Sequence, residues 1–193
     1  MLKKVSKRVR GSGSGRGWKF SQKTKNNCNF SEIQKEIRKA SEKKEGVYSK
    51  KINELLKCSN SFLGCFAENE ISELSFQNFP CFLIVNLDKR GLPGSHWIGL
   101  GIFPNKVEIF DSLGFNVLNW PRVPCSLLKL LNRLAVSRRI VVSKRIQSTN
   151  SVLCGFYSMV YVLARPNLSF RKIQALFDTE LSCNDSILLK LFQ

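Results

Sequence analysis

Apolar residues are sparse before position 60 and dense from Pro80 onward, and that contrast organises the chain. Segment 31–44 has helical spacing, but only Ile33, Ile37 and Ala40 form its apolar stripe. So narrow a face predicts a helix that docks weakly or stays exposed. A further short helix is expected over 50–56, after the break at Gly46. The run CFLIVNL at 81–87 is almost continuously apolar, as in a strand buried on both faces. Segments 95–103 and 106–110 read as two more strands joined by the turn at Pro104-Asn105. A helix follows within 123–135, its inner side carrying Leu127, Leu128, Leu130, Leu131 and Leu134, and then a short strand over 139–143. Segment 151–163 is apolar all round, which predicts a central buried helix with Cys154 at its N-terminal end. Amphipathic helices at 169–177 and 185–192 close the chain, with Ser169 and Asn184 as expected N-caps. The class is therefore α+β, an antiparallel or mixed sheet packed against helices.

The first 27 residues have no such pattern. KKVSKRVR, GSGSGRG and a polar stretch predict a disordered basic tail, 28–49 a basic helical extension, and 50–193 the domain that carries the chemistry. Of the net charge of +17, residues 1–60 hold 17 basic against 5 acidic side chains, and residues 61–193 hold 14 against 9. A head of this kind attracts polyanions without reading sequence, so DNA is an expected partner of the tail. KKVSKRVR also has the composition of a nuclear import signal.

Seven cysteines without a C-x-x-C pair, and a single histidine, argue against a disulfide framework and against zinc. The longest apolar run, 151–164, is too short to span a bilayer, and no signal-peptide pattern is visible at the start. Reduced thiols in an intracellular protein without membrane attachment are the expectation. Such thiols suit catalysis.

Four residues in this order are candidates for a nucleophilic site, because strand ends and a helix N-terminus can converge on one point, although each alone has an ordinary structural reading. His96 opens one strand, Asp111 ends the next, Gln147 lies in a polar loop, and Cys154 starts the buried helix with Gly155 beside it. A thiol needs its proton removed, which a helix N-terminus and an imidazole promote. The imidazole needs a carboxylate to hold its tautomer, and the oxyanion formed on attack needs preset donors. The Cys154 N–H and the Gln147 side-chain amide are the candidates, and Gly155 would let a substrate backbone approach.

The blocks FLGCF (62–66), CFLIVNL, GSHWIGLGIF, EIFDSLGF and QSTNSVLCGF resemble the adenovirus endopeptidase (adenain) family in the same order along the chain, from about position 50 to the end. The resemblance implies a papain-related fold in circularly rearranged order, shared with the SUMO-processing proteases. It implies Cys154 as nucleophile, His96 as base, Asp111 as orienting carboxylate, Gln147 and the Cys154 N–H as oxyanion donors, and Trp97 with Gly155 at the substrate. It further implies maturation of viral precursor proteins by a monomer in the virion and host nucleus. No cofactor is needed for the chemistry, with DNA and a viral peptide as activators. Asp111 stands where adenoviral members usually carry Glu and SUMO-type members Asp. Where the adenoviral activator peptide is attached through a cysteine, this chain has none near Val136, and Cys125 is the nearest. Val9-Arg10-Gly11-Ser12-Gly13 resembles the family's cleavage pattern and carries the expectation of self-cleavage between Ser12 and Gly13, against the plainer reading of a flexible linker. Two other functions stay open: an isopeptidase for SUMO or ubiquitin-like proteins, and a basic nucleic-acid packaging protein without catalysis.

Overall fold

The computed structural model describes residues 18–20, 28–115 and 121–193. The predicted tail, including Ser12 and Gly13, lies almost wholly outside the described residues.

Five strands form one mixed sheet in the order β1 (Phe62–Ala67), β2 (Cys81–Asn86), β3 (Trp97–Ile102), β4 (Lys106–Phe110) and β5 (Arg139–Val142). The β2–β3 and β3–β4 pairs are antiparallel, whereas β1 and β5 join the two edges in parallel. Strands β2 and β3 are buried along their whole length, which accounts for their unbroken apolar runs. β1 is a strand that the apolar pattern does not predict. Gly64 sits in it at φ +130° beside an irregularity in the pairing, so FLGCFA lacks clean alternation.

One face of the sheet is covered by α3 (Cys125–Ala135), whose Leu127, Leu130, Leu131 and Leu134 join Leu83, Val85, Ile98, Leu100 and Ile109 in a core. The other face takes α4 (Cys154–Ala164), buried at every residue. Around α4 pack α1 (Phe30–Lys43), α2 (Ser49–Leu56), α5 (Phe170–Gln174) and α6 (Asn184–Leu191). A buried carboxylate ties α4 to the sheet: Glu108 on β4 accepts from Tyr161 Oη at 3.0 Å and from Arg165 Nε at 2.7 Å, and pairs with Lys106 Nζ at 2.7 Å. Tyr161 can lie flat on β3 only because positions 99 and 101 are glycine. A Cβ at Gly101 would stand 2.0 Å from the Tyr161 hydroxyl.

Three expectations change. The narrow stripe of α1 does not leave it loose, since Ile33 and Ile37 are fully buried. Its neighbours supply the rest of the contact: Gln34 Nε2 donates to the Leu189 carbonyl at 3.4 Å, and Phe20 stacks on Phe192 at 4.7 Å. The extension is thus packed into the same core as α4 and α6. Secondly, Cys28 and Cys58 form a disulfide that joins the start of α1 to the end of α2. Residues 30 apart in sequence, in separate helical segments, gave no spacing signal for this pair. Thirdly, Asn184 does not cap α6. Its side chain turns inward, donating to the Ile146 carbonyl at 2.8 Å and accepting from Asp178 N–H at 2.7 Å. Ser169 does cap α5, accepting from Lys172 N–H at 3.3 Å.

Candidate active site

His96 directly precedes β3 and Asp111 directly follows β4. The two strands are antiparallel, so these ends lie side by side. The N-terminus of α4 reaches the same end of the sheet from one face and brings Cys154 there.

The turn after β4 is built around the Asp111 carboxylate. Its Oδ1 accepts from Leu113 N–H at 2.9 Å and its Oδ2 from Phe115 N–H at 3.0 Å. Its backbone is gripped by Ser143, whose hydroxyl accepts from Asp111 N–H and donates to Asp111 O, each at 2.8 Å. Held on both sides, Oδ1 receives His96 Nε2–H at 2.7 Å. That bond leaves Nδ1 as the other ring nitrogen. Among the described residues Nδ1 has no hydrogen-bond partner, and it is the atom left to serve the Cys154 thiol. Burial works against the imidazolium, but the Asp111 hydrogen bond, the interaction with Cys154 and the charge of Asp111 outweigh it. The imidazole is pushed up to about 9. The Phe115 ring stands edge-on to His96 at 5.9 Å and covers one side of it.

Cys154 is the first residue of α4, so its backbone N–H has no acceptor within the helix and is available to a ligand. The other free cysteines are of two kinds. Cys125 and Cys183 are exposed, whereas Cys65 and Cys81 are buried, and burial pushes the thiol of Cys65 well up and that of Cys81 to about 11. Cys154 alone faces an imidazole.

A cleft of about 470 Å³ opens over these groups. One wall is the 45–48 segment ahead of α2 with Ser49 at the start of the helix, the other the 88–95 loop, and Trp97 and Gln147 lie in it with Cys154. Trp97 Nε1 donates to the Val47 carbonyl at 3.0 Å, which fixes the first wall against the indole. Here Gly155 departs from its expected role. It does not line the cleft, and the place of its missing side chain is filled by the protein itself: a Cβ there would lie 2.4 Å from Val47 Cγ1 and 3.2 Å from Trp97 Cδ1. Gly155 therefore lets the Val47 wall close on α4 rather than letting a substrate in.

Gln147 is fully buried with its amide turned toward Ser151. Nε2 donates to the Ser151 carbonyl at 2.9 Å and to its hydroxyl at 3.1 Å, while Oε1 accepts from Ser112 Oγ at 2.5 Å. A carbonyl only accepts, so the Ser151 contact also fixes which end of the amide is nitrogen. The structure thus brings His96, Trp97, Gln147 and Cys154 to one cleft, with Asp111 fully buried behind His96, and leaves Gly155 beneath it. Sequence reasoning missed Val47, whose wall is formed by a remote segment, and Ser112, which has no signal beyond adjacency to Asp111.

No protein-family model matches this chain, and no curated protein matches it. Among solved structures, the chain is similar to a crystal structure of the ASFV protease pS273R, with a TM-score of 0.49 and 19% sequence identity, covering 77% of this chain and 67% of that one. It is also similar to the SUMO protease Ulp1 with its catalytic cysteine oxidised to a sulfinic acid, with a TM-score of 0.44 and 13% identity, covering 85% of this chain and 95% of that one.

Proposed function

We propose that this chain is a cysteine endopeptidase that cleaves precursor proteins through Cys154, His96 and Asp111. One observation carries the reading: the sole histidine of the chain is buried against Asp111 through Nε2, leaving Nδ1 for a thiol at a helix N-terminus. His96 takes the thiol proton, Cys154 Sγ attacks the scissile carbonyl, and the oxyanion is met by the Cys154 N–H and the Gln147 amide. The imidazolium then protonates the leaving amine, and water attacks the thioester with His96 as base. No step needs a metal or a cofactor.

Maturation of virion precursors in the particle and host nucleus is the substrate setting that the sequence blocks favour, and nucleic acid is the partner that the charge favours. The charge is not confined to the tail. Residues 112–177 hold ten basic side chains and no acidic one. They include exposed Arg139 on β5 and Lys144 just after it. Lys144 is joined to α5, with its exposed Arg171 and Lys172, by the Lys144 N–H bond to Gln174 Oε1 at 2.8 Å. A second reading, an isopeptidase for ubiquitin-like proteins, is favoured by the choice of Asp rather than Glu at position 111.

Iodoacetamide labelling below neutral pH tests the core claim. Cys154 should alkylate faster than exposed Cys125 and Cys183, and His96→Ala should remove that advantage. Equal labelling of the three thiols would refute the endopeptidase reading. Release of a fluorophore from a Gly-Gly-terminated ubiquitin-like probe, with no cutting of internal peptide bonds in a peptide library, would favour the isopeptidase.

A further inference from the structure

Gln147 and Ser151 bound a short loop, and both ends of that loop are held by the first turn of α6. Asn184, fully buried, donates through Nδ2 to the carbonyl of Ile146, the residue before Gln147. The next residue, Asp185, accepts at Oδ1 from Ser151 Oγ at 2.9 Å, and the same oxygen accepts from Tyr157 Oη on α4 at 2.9 Å. Ser151 in turn carries the Gln147 amide on its carbonyl and hydroxyl, and its hydroxyl accepts from Leu153 N–H at 3.3 Å, one residue before the nucleophile. On the opposite side Ser112 Oγ fixes Gln147 Oε1, and the Ser112 carbonyl accepts from the N–H groups of Ile146 and Gln147 at 2.9 and 2.8 Å. Every polar atom of the Gln147 side chain is therefore assigned, and the assignment runs through Ser151 to a carboxylate on the C-terminal helix.

We infer that Asp185, acting through Ser151, is a positioning residue for the oxyanion donor, so that α6 is a working part of the active site. This rests on the thiol-peptidase reading above. Asp185 sits in the first turn of α6 and satisfies no N–H of its own helix. Among the described residues its hydrogen-bond partners are instead the hydroxyl beneath the Gln147 amide and a tyrosine one turn beyond Cys154. The mechanism follows from what the Gln147 amide touches. One Gln147 N–H is held by the Ser151 carbonyl. The other rests on the neutral Ser151 hydroxyl, and a charged oxyanion competes well for it, since charge-assisted bonds are roughly twice as strong as neutral ones. Asp185 makes this exchange reversible: with its own proton donated to the carboxylate, the Ser151 hydroxyl stays an acceptor toward Gln147 and cannot turn to donate elsewhere. Because α6 is backed by α1 and Phe20, through Gln34 to Leu189 O and Phe20 N–H to Leu191 O at 2.9 Å, the N-terminal extension supports the same device.

The test separates oxyanion stabilisation from thiol activation in the full-length chain. Acylation by benzyloxycarbonyl-glycine p-nitrophenyl ester passes through a tetrahedral oxyanion, whereas alkylation of Cys154 by iodoacetamide does not. Asp185→Ala should lower the saturating acylation rate roughly tenfold or more, toward the roughly hundredfold loss expected of Gln147→Ala. The half-saturating ester concentration and the Cys154 alkylation rate should each stay within about twofold, by the same separation of roles. Asp185→Asn keeps an acceptor oxygen and should recover most of the loss. Unchanged acylation in Asp185→Ala would overturn the inference, as would acylation and alkylation falling in parallel, which is the signature of a purely structural residue. If wild-type Cys154 neither alkylates selectively nor acylates, the peptidase reading fails and takes the inference with it.

Discussion

The charge state of His96 offers the sharpest test, because the chain has a single histidine and hence a single imidazole signal. The perturbation is Asp111→Asn. The asparagine oxygen can still receive Nε2–H, but its amide nitrogen then faces the Phe115 N–H that Oδ2 now accepts, donor against donor. The charge is lost as well. At about 1.4 kcal/mol per pH unit, holding the imidazole at about 9 rather than 6.5 is worth about 3 kcal/mol. Asp111 supplies this jointly with Cys154, against the cost of burial. A charge-assisted hydrogen bond is worth about 1.5–3 kcal/mol, so the substitution should lower the midpoint by about one to two pH units. The assay is an NMR titration of the labelled imidazole in untagged protein, with the midpoint read as that of the His96–Cys154 couple. Stability follows with a definite sign. A group whose proton is held more tightly in the folded state stabilises below its unfolded midpoint, here 6.5, and that contribution is lost as pH rises through about 9. Asp111→Asn should therefore lower the melting temperature at pH 6 more than at pH 10. A wild-type midpoint near 6.5, or one that does not move in the variant, would refute the argument.

Three further outcomes are expected. Gly101→Ala places a methyl against the buried Tyr161 hydroxyl and the Phe82 and Phe103 rings, and should cost about 1–3 kcal/mol or more in urea denaturation. Breaking Cys28–Cys58 by Cys28→Ser with Cys58→Ser should cost about 3–4 kcal/mol, from the chain entropy released over 30 residues, read as a drop in the denaturation midpoint with a steeper slope, because the unfolded chain expands. Deleting residues 1–17 should weaken binding of fluorescent duplex DNA but leave a salt-dependent component, because the acid-free stretch 112–177 remains; complete loss of binding would place the whole electrostatic contact in the tail.

Much of the fold was legible because local pattern and burial agree. CFLIVNL and the all-apolar stretch behind Cys154 announce a two-faced strand and a central helix, since nothing else can hide so many apolar side chains. β1 was not legible, because Gly64 and the irregular pairing break its alternation. The docking of α1 is not legible for a different reason. Two isoleucines predict little burial by themselves, and the aromatic rings of Phe20 and Phe192 that complete the contact lie at opposite ends of the sequence.

The chemistry divides in the same way. By themselves the residues determined which groups could react: one histidine, one cysteine opening an apolar helix, and a carboxylate ending the strand between them. Side-chain chemistry is local, and so is the period that places each on its element. Only the tertiary structure decided which histidine nitrogen meets Asp111, that Gly155 makes room for Val47 rather than for substrate, and that Asp185 reaches Ser151 from the last helix. Those are contacts between segments 15 to 108 positions apart in the chain. They depend on how sheet and helices pack, and no pattern within one segment encodes a distance to another.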